Sequence, residues 1–536
     1  MTLFVYTVEQ MRALEAAADR AGHTYDTMME RAGLAVADVI TTRHNTDETR
    51  VVVLVGPGHN GGDGLVASRV LANRGYQVVA FLWRRPVDEP RSQAARQAGV
   101  SLIPLDGSED GWRTLERALR RASVIVDALL GTGVSRPIGE PLSTLLERLR
   151  AAREQPPRRT SLVWAQTEPQ HSLRPRGPTL VAVDLPTGLN AATGAVDPAT
   201  VPADITVTFA GPKAGMLLPP GSDVIGELVV ADIGIPTQVV SAAEHVGEFM
   251  SPDVAAALVP PRPRSGHKGT FGRVLVVGGS ANFVGAPALA AEGAARSGAG
   301  LVTLAVPTVL ASALTARPDL TSITWLMLPH DLGALRPEAL NVLAEELPKY
   351  DALVVGMGLG QEPVTQAFVY KLLGLRAPEA PRPSIGFVRS PQQEPEEPVP
   401  NLPPTVLDAD ALNALAAFDG AWEEQLPAGR FVLTPHPGEM ARLMGVNVSD
   451  VQARRLALAR QQAKAWRQVV VLKGAFTVVA APDGRVSVSP FAHPILATAG
   501  TGDVLAGLIG GLLAQGIPPF DAAAWAPIST GWPARF

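Results

Sequence analysis

The chain has 536 residues, and at about 150 residues per domain that length predicts several folding units or two large ones rather than one compact core. With 46 Lys and Arg against 51 Asp and Glu, the net charge of -5 leaves no global basic surface for a polyanion, so nucleic acid is excluded as a first reading. Zero cysteines exclude a disulfide framework, thiolate zinc sites and a Cys nucleophile.

Apolar residues at helical spacing between 8 and 40 (Met11, Leu14, Ala17, Ala18, then Met28, Met29, Ala32, Leu34, Ala35) predict two opening helices with a turn near Gly22. The start carries no basic segment followed by a long apolar run, so a mature cytoplasmic terminus is expected. Short apolar runs rich in β-branched residues follow at 51–56, 76–83, 122–131, 179–186, 203–211 and 226–234, with helix-like segments at 65–74 and 142–153. This alternation predicts a parallel sheet. The stretch 241–269 reads as a linker or domain edge, placing the domains at 1–245 and 246–536. A second series of strands is then expected at 273–279, 301–307, 352–358, 404–410, 431–436, 468–474 and 477–482. The fold class is therefore α/β, as two tandem three-layer αβα domains. The segments 153–178 and 376–404 lack apolar periodicity and read as surface loops or disordered insertions. The longest apolar stretch near the end, 504–513, is far shorter than the ~18 residues of a membrane span, so no membrane contact is expected.

The turn GPGHNGGDG follows the strand at 51–56, and Gly56, Gly58 and Gly61 satisfy G-x-G-x-x-G spacing. Such glycines let backbone approach closely and aim helix N-terminal amides at an anion. A dinucleotide-binding site would want an acid at the end of the next strand; here stand Trp83, Arg84 and Arg85, which leaves an NADP-binding dehydrogenase as a competitor. DALLGTGVSRP (127–137) and DLPTGLNAATG (184–194) each follow a strand and begin with an acid, so Asp127, Asp184 and the Asn60 loop converge at the C-terminal strand ends. Asn60, Asp127 and Thr187 offer hard oxygen ligands suited to an alkali or alkaline-earth cation, the alternative being that they only cap helices.

Together GPGHNGGDG, MMERAG, DALLGTG, DLPTGL and FAGPKAG resemble the NAD(P)H-hydrate epimerase family, over roughly residues 1–240. The resemblance implies a Rossmann-like domain in which His59, Asn60, Gly61, Gly62 and Asp63 hold the hydrated dinucleotide. It adds Gly131, Thr132, Gly133, Val134, Ser135, Arg136 and Pro137 to the same contacts. Asn60, Asp127 and Thr187 would bind K⁺, Asp184 would stand at the reacting carbon as the catalytic group, and Lys213 is a further candidate for the pocket. His59 stands where that family commonly has Asn, and Thr187 where Ser is usual.

In the second half, LATAGTGDVLAGLIGGLL (496–513) sets Gly500, Thr501, Gly502 and Asp503 at the start of a helix. Consecutive amides there form an anion hole, and an acid beside it can take a proton from an attacking hydroxyl, the arrangement phosphoryl transfer to an alcohol needs. The alternative for Asp503 is a plain helix cap. With HKGTFG, VVGMGLG, LDADALNAL, TPHPGEMARL and LKGAFT, this half resembles the ADP-dependent NAD(P)H-hydrate dehydratase family, whose fold is ribokinase-like. By that resemblance Ala286, Gly358, His436 and Asp503 contact the hydrate, with Asp503 catalytic. Lys473, Gly474, Ala475, Phe476, Thr477 and Gly502 contact ADP, and Mg²⁺ accompanies it. His436 could instead be a satisfied buried histidine, and Lys268 a solvated charge. Met357 stands where the family usually has proline, and Pro527 and Pro533 are expected to interrupt any C-terminal helix.

The combined expectation is a cytoplasmic metabolite-repair enzyme, a homo-oligomer, that epimerises NADHX and NADPHX and dehydrates the S form with ADP. A small-molecule kinase with an N-terminal nucleotide-binding or partner-binding module is the competing reading.

Overall fold

The computed structural model describes residues 3–46, 49–133, 136–154, 177–259, 261–376, 401–492 and 494–531. Within them the chain divides into two compact units, Leu3–Val246 and Gly247 onward.

The first unit opens with the two expected helices. Val8–Arg20 starts on Thr7, whose hydroxyl accepts from the Gln10 amide while the Gln10 side chain takes the Thr7 amide, a reciprocal cap. The second, Tyr25–Thr41, buries Met28, Ala32, Val36 and Ile40. Seven parallel strands follow, in the spatial order Ser101–Leu105, Gln77–Trp83, Arg50–Val55, Val124–Ala128, Thr179–Val183, Ile205–Phe209, Glu227–Ala231. Because side chains alternate along a strand, Val51, Val53 and Val55 pack into the core under the opening helices. Val52 and Leu54 pack on the other face against Leu145 and Leu149 of helix Leu142–Arg153. That is a three-layer αβα unit. Chain direction across the sheet reverses between Arg50–Val55 and Val124–Ala128, so the loops leaving these two strands flank a crevice, the usual ligand position of an open α/β sheet.

The second unit repeats the logic. Its sheet runs Gly247–Phe249, Val486–Val488, Val478–Ala480, Val469–Leu472, Phe431–Leu433, Thr405–Leu407, Ala352–Val355, Arg273–Val277, Leu301–Pro307, Thr324–Leu328. Pairing is parallel from Val469–Leu472 through Thr324–Leu328 and antiparallel at Val478–Ala480. The order again reverses at the first long strand, between Arg273–Val277 and Ala352–Val355, which selects the loops at 278–284 and 356–360 as crevice walls. The glycines of helix Thr501–Ala514 serve close packing: a Cβ on Gly507 would stand 1.9 Å from the Ala290 carbonyl oxygen of helix Gly285–Arg296. Gly507→Ala is therefore expected to cost about 1–3 kcal/mol by forcing the helices apart, read as a lowered Tm for this unit.

The stretch read as a linker or domain edge contains the division between the units, at Val246 and Gly247, and carries strand Gly247–Phe249, which pairs with Val486–Val488, and helix Pro252–Leu258. Two expectations are corrected. Pro527 lies inside helix Pro519–Gly531 rather than ending it, because Ala522, Ala523 and Ala526 are buried in the core and their packing outweighs one missing backbone bond. Ser101–Leu105 and Thr324–Leu328 add unanticipated edge strands. The expected loops at 155–176 and 377–400, and Pro533, lie outside the described residues.

Candidate functional sites

In the first unit the turn after Arg50–Val55 ends on Gly58, which precedes helix His59–Asn73. The first turn of any helix leaves its amides without intrahelical acceptors. Here a Cβ on Gly61 would lie 2.0 Å from the Gly56 carbonyl oxygen, so the turn closes only with glycine. Arg85 holds it shut, donating to the Gly56 and Gly58 carbonyls at 3.0 and 2.8 Å and to Glu89 at 2.6 Å. Arg85 is buried with Nε and Nη1 engaged in this way, whereas Arg84 is exposed and lies over the Trp83 ring. The structure thus takes Arg85 out of the arginine pair that kept the dehydrogenase competitor open.

Asp127, 2% exposed at the end of its strand, accepts from the Thr187 amide at 2.8 Å, the Thr187 hydroxyl at 2.7 Å and the Leu129 amide at 3.2 Å. The Leu130 amide donates to the Thr187 hydroxyl, and Asn60 Nδ2 donates to the Leu130 carbonyl. Among the described residues the buried Oδ1 of the same Asn60 has no hydrogen-bond partner. Thr187 therefore ties strand ends together and caps no helix. The three expected cation ligands share one hydrogen-bonded knot with an unsatisfied oxygen.

Asp184 follows strand Thr179–Val183 at φ +65°, a left-handed conformation that Asp tolerates better than most residues. Its Oδ1 accepts from Lys213 Nζ and from the Thr208 hydroxyl at 3.1 Å. Lys213, 2% exposed, spends its remaining donors on Thr208 at 2.9 Å and the Phe209 carbonyl at 3.3 Å. A cavity of about 660 Å³ brings together His59, Asn60, Asp63, Gly131, Thr132, Gly133 and Asp184 with Arg12 and Glu15 of the first helix. Burial, with Asp184 nearby, raises the Glu15 carboxyl, although Lys213 opposes this. Gly62 packs against Met29. Arg136 and Pro137 line a smaller adjoining pocket with Gly131 and Asn190. Val134 and Ser135 lie outside the described residues. Sequence reasoning missed Arg12 and Glu15: nothing in the periodicity of a surface helix says that its polar face closes over a site.

In the second unit Gly500, at φ +93°, caps helix Thr501–Ala514, so Asp503 stands three residues inside and is not the cap. Lys473 Nζ donates to Asp408 at 2.7 Å and lies 3.6 Å from Glu439; a Cβ on Gly502 would be 3.4 Å from the same nitrogen. Burial pushes Asp503 up to about 7, reinforced by Asp408, with Lys473 opposing. Burial likewise brings Glu439 to about 6. Burial alone would lower Lys473, yet Asp408 and Glu439 outweigh it and the ammonium is favoured. His436 caps helix Pro437–Met444, its Nδ1 accepting from the Gly438 and Glu439 amides, and half its side chain is exposed. The buried-histidine alternative is thereby overturned. Gly358, at φ +65°, sits against Phe283 and Ala286. Lys268 is exposed.

The 474–477 turn is anchored from below by Arg455, which is buried and donates to the Leu472 and Lys473 carbonyls at 3.0 and 3.1 Å. Gly474 and Ala475 are exposed, whereas Phe476 and Thr477 are buried. Burial lowers the Arg455 guanidinium to about 10. Arg455→Met is expected to cost about 1–3 kcal/mol of stability, read as a lowered Tm, because the Leu472 and Lys473 carbonyls lose their buried donor. Asp408, Asp410, Glu439 and Arg455 were not singled out by sequence reasoning, although LDADALNAL and PHPGE carried the first three.

Two α/β units, one with a carboxyl-lined cavity at its switch point and one with a glycine turn, an acid and a lysine at a helix start, have the layout of a two-site α/β enzyme. Residues 25–215 match the family described as YjeF-related protein N-terminus, and residues 274–381 and 391–534 match NAD(P)H-hydrate dehydratase. A bifunctional NAD(P)H-hydrate repair enzyme from Moorella thermoacetica is 39% identical over 93% of this chain and 85% of its own, and one from Salinibacter ruber is 38% identical over 93% and 85%. The chain belongs to the bifunctional NAD(P)H-hydrate repair enzyme family. Family, α/β fold class and enzyme class agree with the expectations from sequence. An ADP/ATP-dependent NAD(P)H-hydrate dehydratase from Bacillus subtilis, co-crystallized with ATP/Mg²⁺, aligns with 28% identity and a TM-score of 0.40 over 54% of this chain and 88% of that one. Among the described residues no helix is long and apolar enough to cross a membrane.

Proposed function

We propose that the chain returns both epimers of hydrated NADH and NADPH to the working cofactor, the first unit interconverting R and S and the second dehydrating S with ADP. The observation that carries this is the presence in one chain of two separate acid-bearing sites, Asp184 with Lys213 and Asp503 with Lys473.

Hydration places a hydroxyl on C6 of the dihydronicotinamide ring, next to the ring nitrogen. In the first site that nitrogen assists loss of the hydroxyl, and Asp184 serves as the acid–base group while His59–Asp63 and Gly131–Pro137 hold the dinucleotide. Asn60, Asp127 and Thr187 would hold K⁺: their donors are hard oxygens, and the unpartnered Asn60 Oδ1 is the acceptor such an ion would satisfy. Bound there, the ion supplies positive charge beside the substrate.

In the second site Asp503 takes the C6 hydroxyl proton as the oxygen attacks the β-phosphorus of ADP, releasing AMP. Phosphate then leaves C6 as the C5 proton is lost, restoring the ring double bond. Gly502 and the helix amides face the transferring phosphoryl group, Lys473–Thr477 hold the nucleotide, and Ala286, Gly358 and His436 hold the hydrate. Mg²⁺ keeps most of its water and is commonly carried by phosphates with one or two carboxylates, so it would arrive on the phosphates of ADP.

The test is to incubate the purified chain with mixed R and S hydrate, Mg²⁺ and ADP, following 340 nm absorbance and AMP. Conversion of both epimers with one AMP each is expected. Recovery stopping at the S fraction would reduce the first unit to a binding module, and a stable phosphorylated product would favour the kinase.

A further inference from the structure

Epimerisation at C6 calls for a proton for the departing hydroxyl and an acceptor for the proton of the water that returns on the opposite face, and two groups can divide the work that a single acid–base residue would otherwise do alone. The hydrogen bonds around Asp184 settle what it offers. Lys213 and Thr208 both donate to Oδ1, and among the described residues Oδ2 accepts from nothing, while Asp184 itself lines the cavity. All three Lys213 donors are engaged, so Lys213 positions Asp184 and is not itself available to the ligand.

A second carboxyl lines the same cavity. Asp63, in the first turn of helix His59–Asn73, is 8% exposed and, among the described residues, makes no hydrogen bond and no ion pair. An unpaired carboxylate buried this way is costly, and the group relieves the cost by staying protonated. The charges acting on it are Asp184, Glu15 of helix Val8–Arg20, Arg91 of helix Pro90–Gln97 and Lys213. Burial, then Asp184 and Glu15, drive the Asp63 carboxyl well above the usual range, with Arg91 and Lys213 opposing.

We propose that the epimerase cavity is a two-carboxyl site in which Asp63 is the acid and Asp184, clamped through Oδ1 by Lys213 and Thr208, is the base through Oδ2. This rests on the epimerase reading above. The C6–O bond breaks as Asp63 gives its proton to the leaving hydroxyl, which departs as water, and the ring nitrogen's electron pair forms the N1–C6 double bond. A second water attacks C6 on the opposite face as Asp184 takes its proton, and the pair returns to nitrogen. One proton is given and one taken, and the reverse epimerisation exchanges the two roles.

The experiment uses the full chain without ADP, pure R hydrate and ¹⁸O-labelled water, resolving R and S by chromatography and mass. Wild type is expected to incorporate one label per inversion. Asp63→Asn is expected to lower the inversion rate constant at saturating hydrate by about 100-fold or more, over and above any change in hydrate affinity, and Asp63→Glu is expected to recover a measurable part of the rate. An Asp63→Asn rate within about threefold of wild type, or a defect wholly in affinity with the saturated rate intact, would overturn the proposal. If wild type itself fails to invert the R hydrate, the epimerase reading falls instead.

Discussion

Asp503→Asn is expected to lower ADP-dependent dehydration by about 10²–10⁴-fold while leaving R-to-S inversion unchanged, the effect of removing one general base. The side chain sits where the helix of the glycine turn begins, and the charges of Asp408, Asp410, Glu439 and Lys473 act on it. Burial and the Asp408 charge bring its pKa to about 7, so near neutrality it is divided between a form that can accept a proton and one that cannot. The kcat/KM of dehydration should therefore rise with pH through about 7, and the Asn variant should lose that limb. Stability should move the other way. A carboxyl whose folded pKa lies above its unfolded value favours the fold at low pH, and that contribution is lost as pH rises from about 4 to about 7. At pH 8 the inactive Asn variant should accordingly have a higher Tm than wild type, measurable by scanning calorimetry. A lower Tm together with lost activity would point to a structural role for Asp503.

The central strands and the glycine turns were readable in the sequence because both obey local rules. A strand buried on both faces is a continuous apolar run, as in VVVLV at 51–55, and a turn pressed against a neighbouring backbone admits only glycine, as at Gly56 and Gly61. The edge strands were hidden for the converse reason: Ser101–Leu105 carries Pro104 and is partly exposed, so it has neither a long apolar run nor clean alternation. Site residues divide in the same way. Asp127 ends a strand, Asp184 directly follows one and Asp503 lies in the first turn of a glycine-led helix, and each sits in a short motif that announces itself. Glu15 lies on an ordinary amphipathic helix 169 positions before Asp184, and Arg455 on a helix whose face is unremarkable in sequence; each becomes informative only when folding brings it against a distant turn. The meaning of Arg85 changed most, from a free cation in sequence to a buried strut between two carbonyls.

Asp184→Asn is expected to lower the rate of R-to-S inversion by about 10²–10⁴-fold and to leave dehydration of pure S hydrate within about twofold of wild type. Asn is the informative replacement because the residue holds a left-handed backbone, φ +65°, which Asn accepts, whereas most other side chains would add about 1–3 kcal/mol of strain and confuse lost chemistry with lost fold. The substitution keeps the shape of the side chain and an oxygen for Lys213 and Thr208 while abolishing the negative charge. It also leaves Lys213, 2% exposed, as a buried cation without its counter-charge, so a lower Tm for the first unit is expected as well. A companion Lys213→Met variant separates the two effects. It removes the buried cation but leaves Asp184 without its counter-charge, and should lower inversion because Oδ1 keeps only the Thr208 arm of its clamp, yet Asp184 remains able to accept a proton and the loss should be smaller than in Asp184→Asn. In a coupled assay with mixed hydrate and ADP, Asp184→Asn should stop at the S fraction, after which added wild-type chain should complete the conversion. Full conversion by the Asn variant alone, at the wild-type rate, would remove Asp184 from the chemistry.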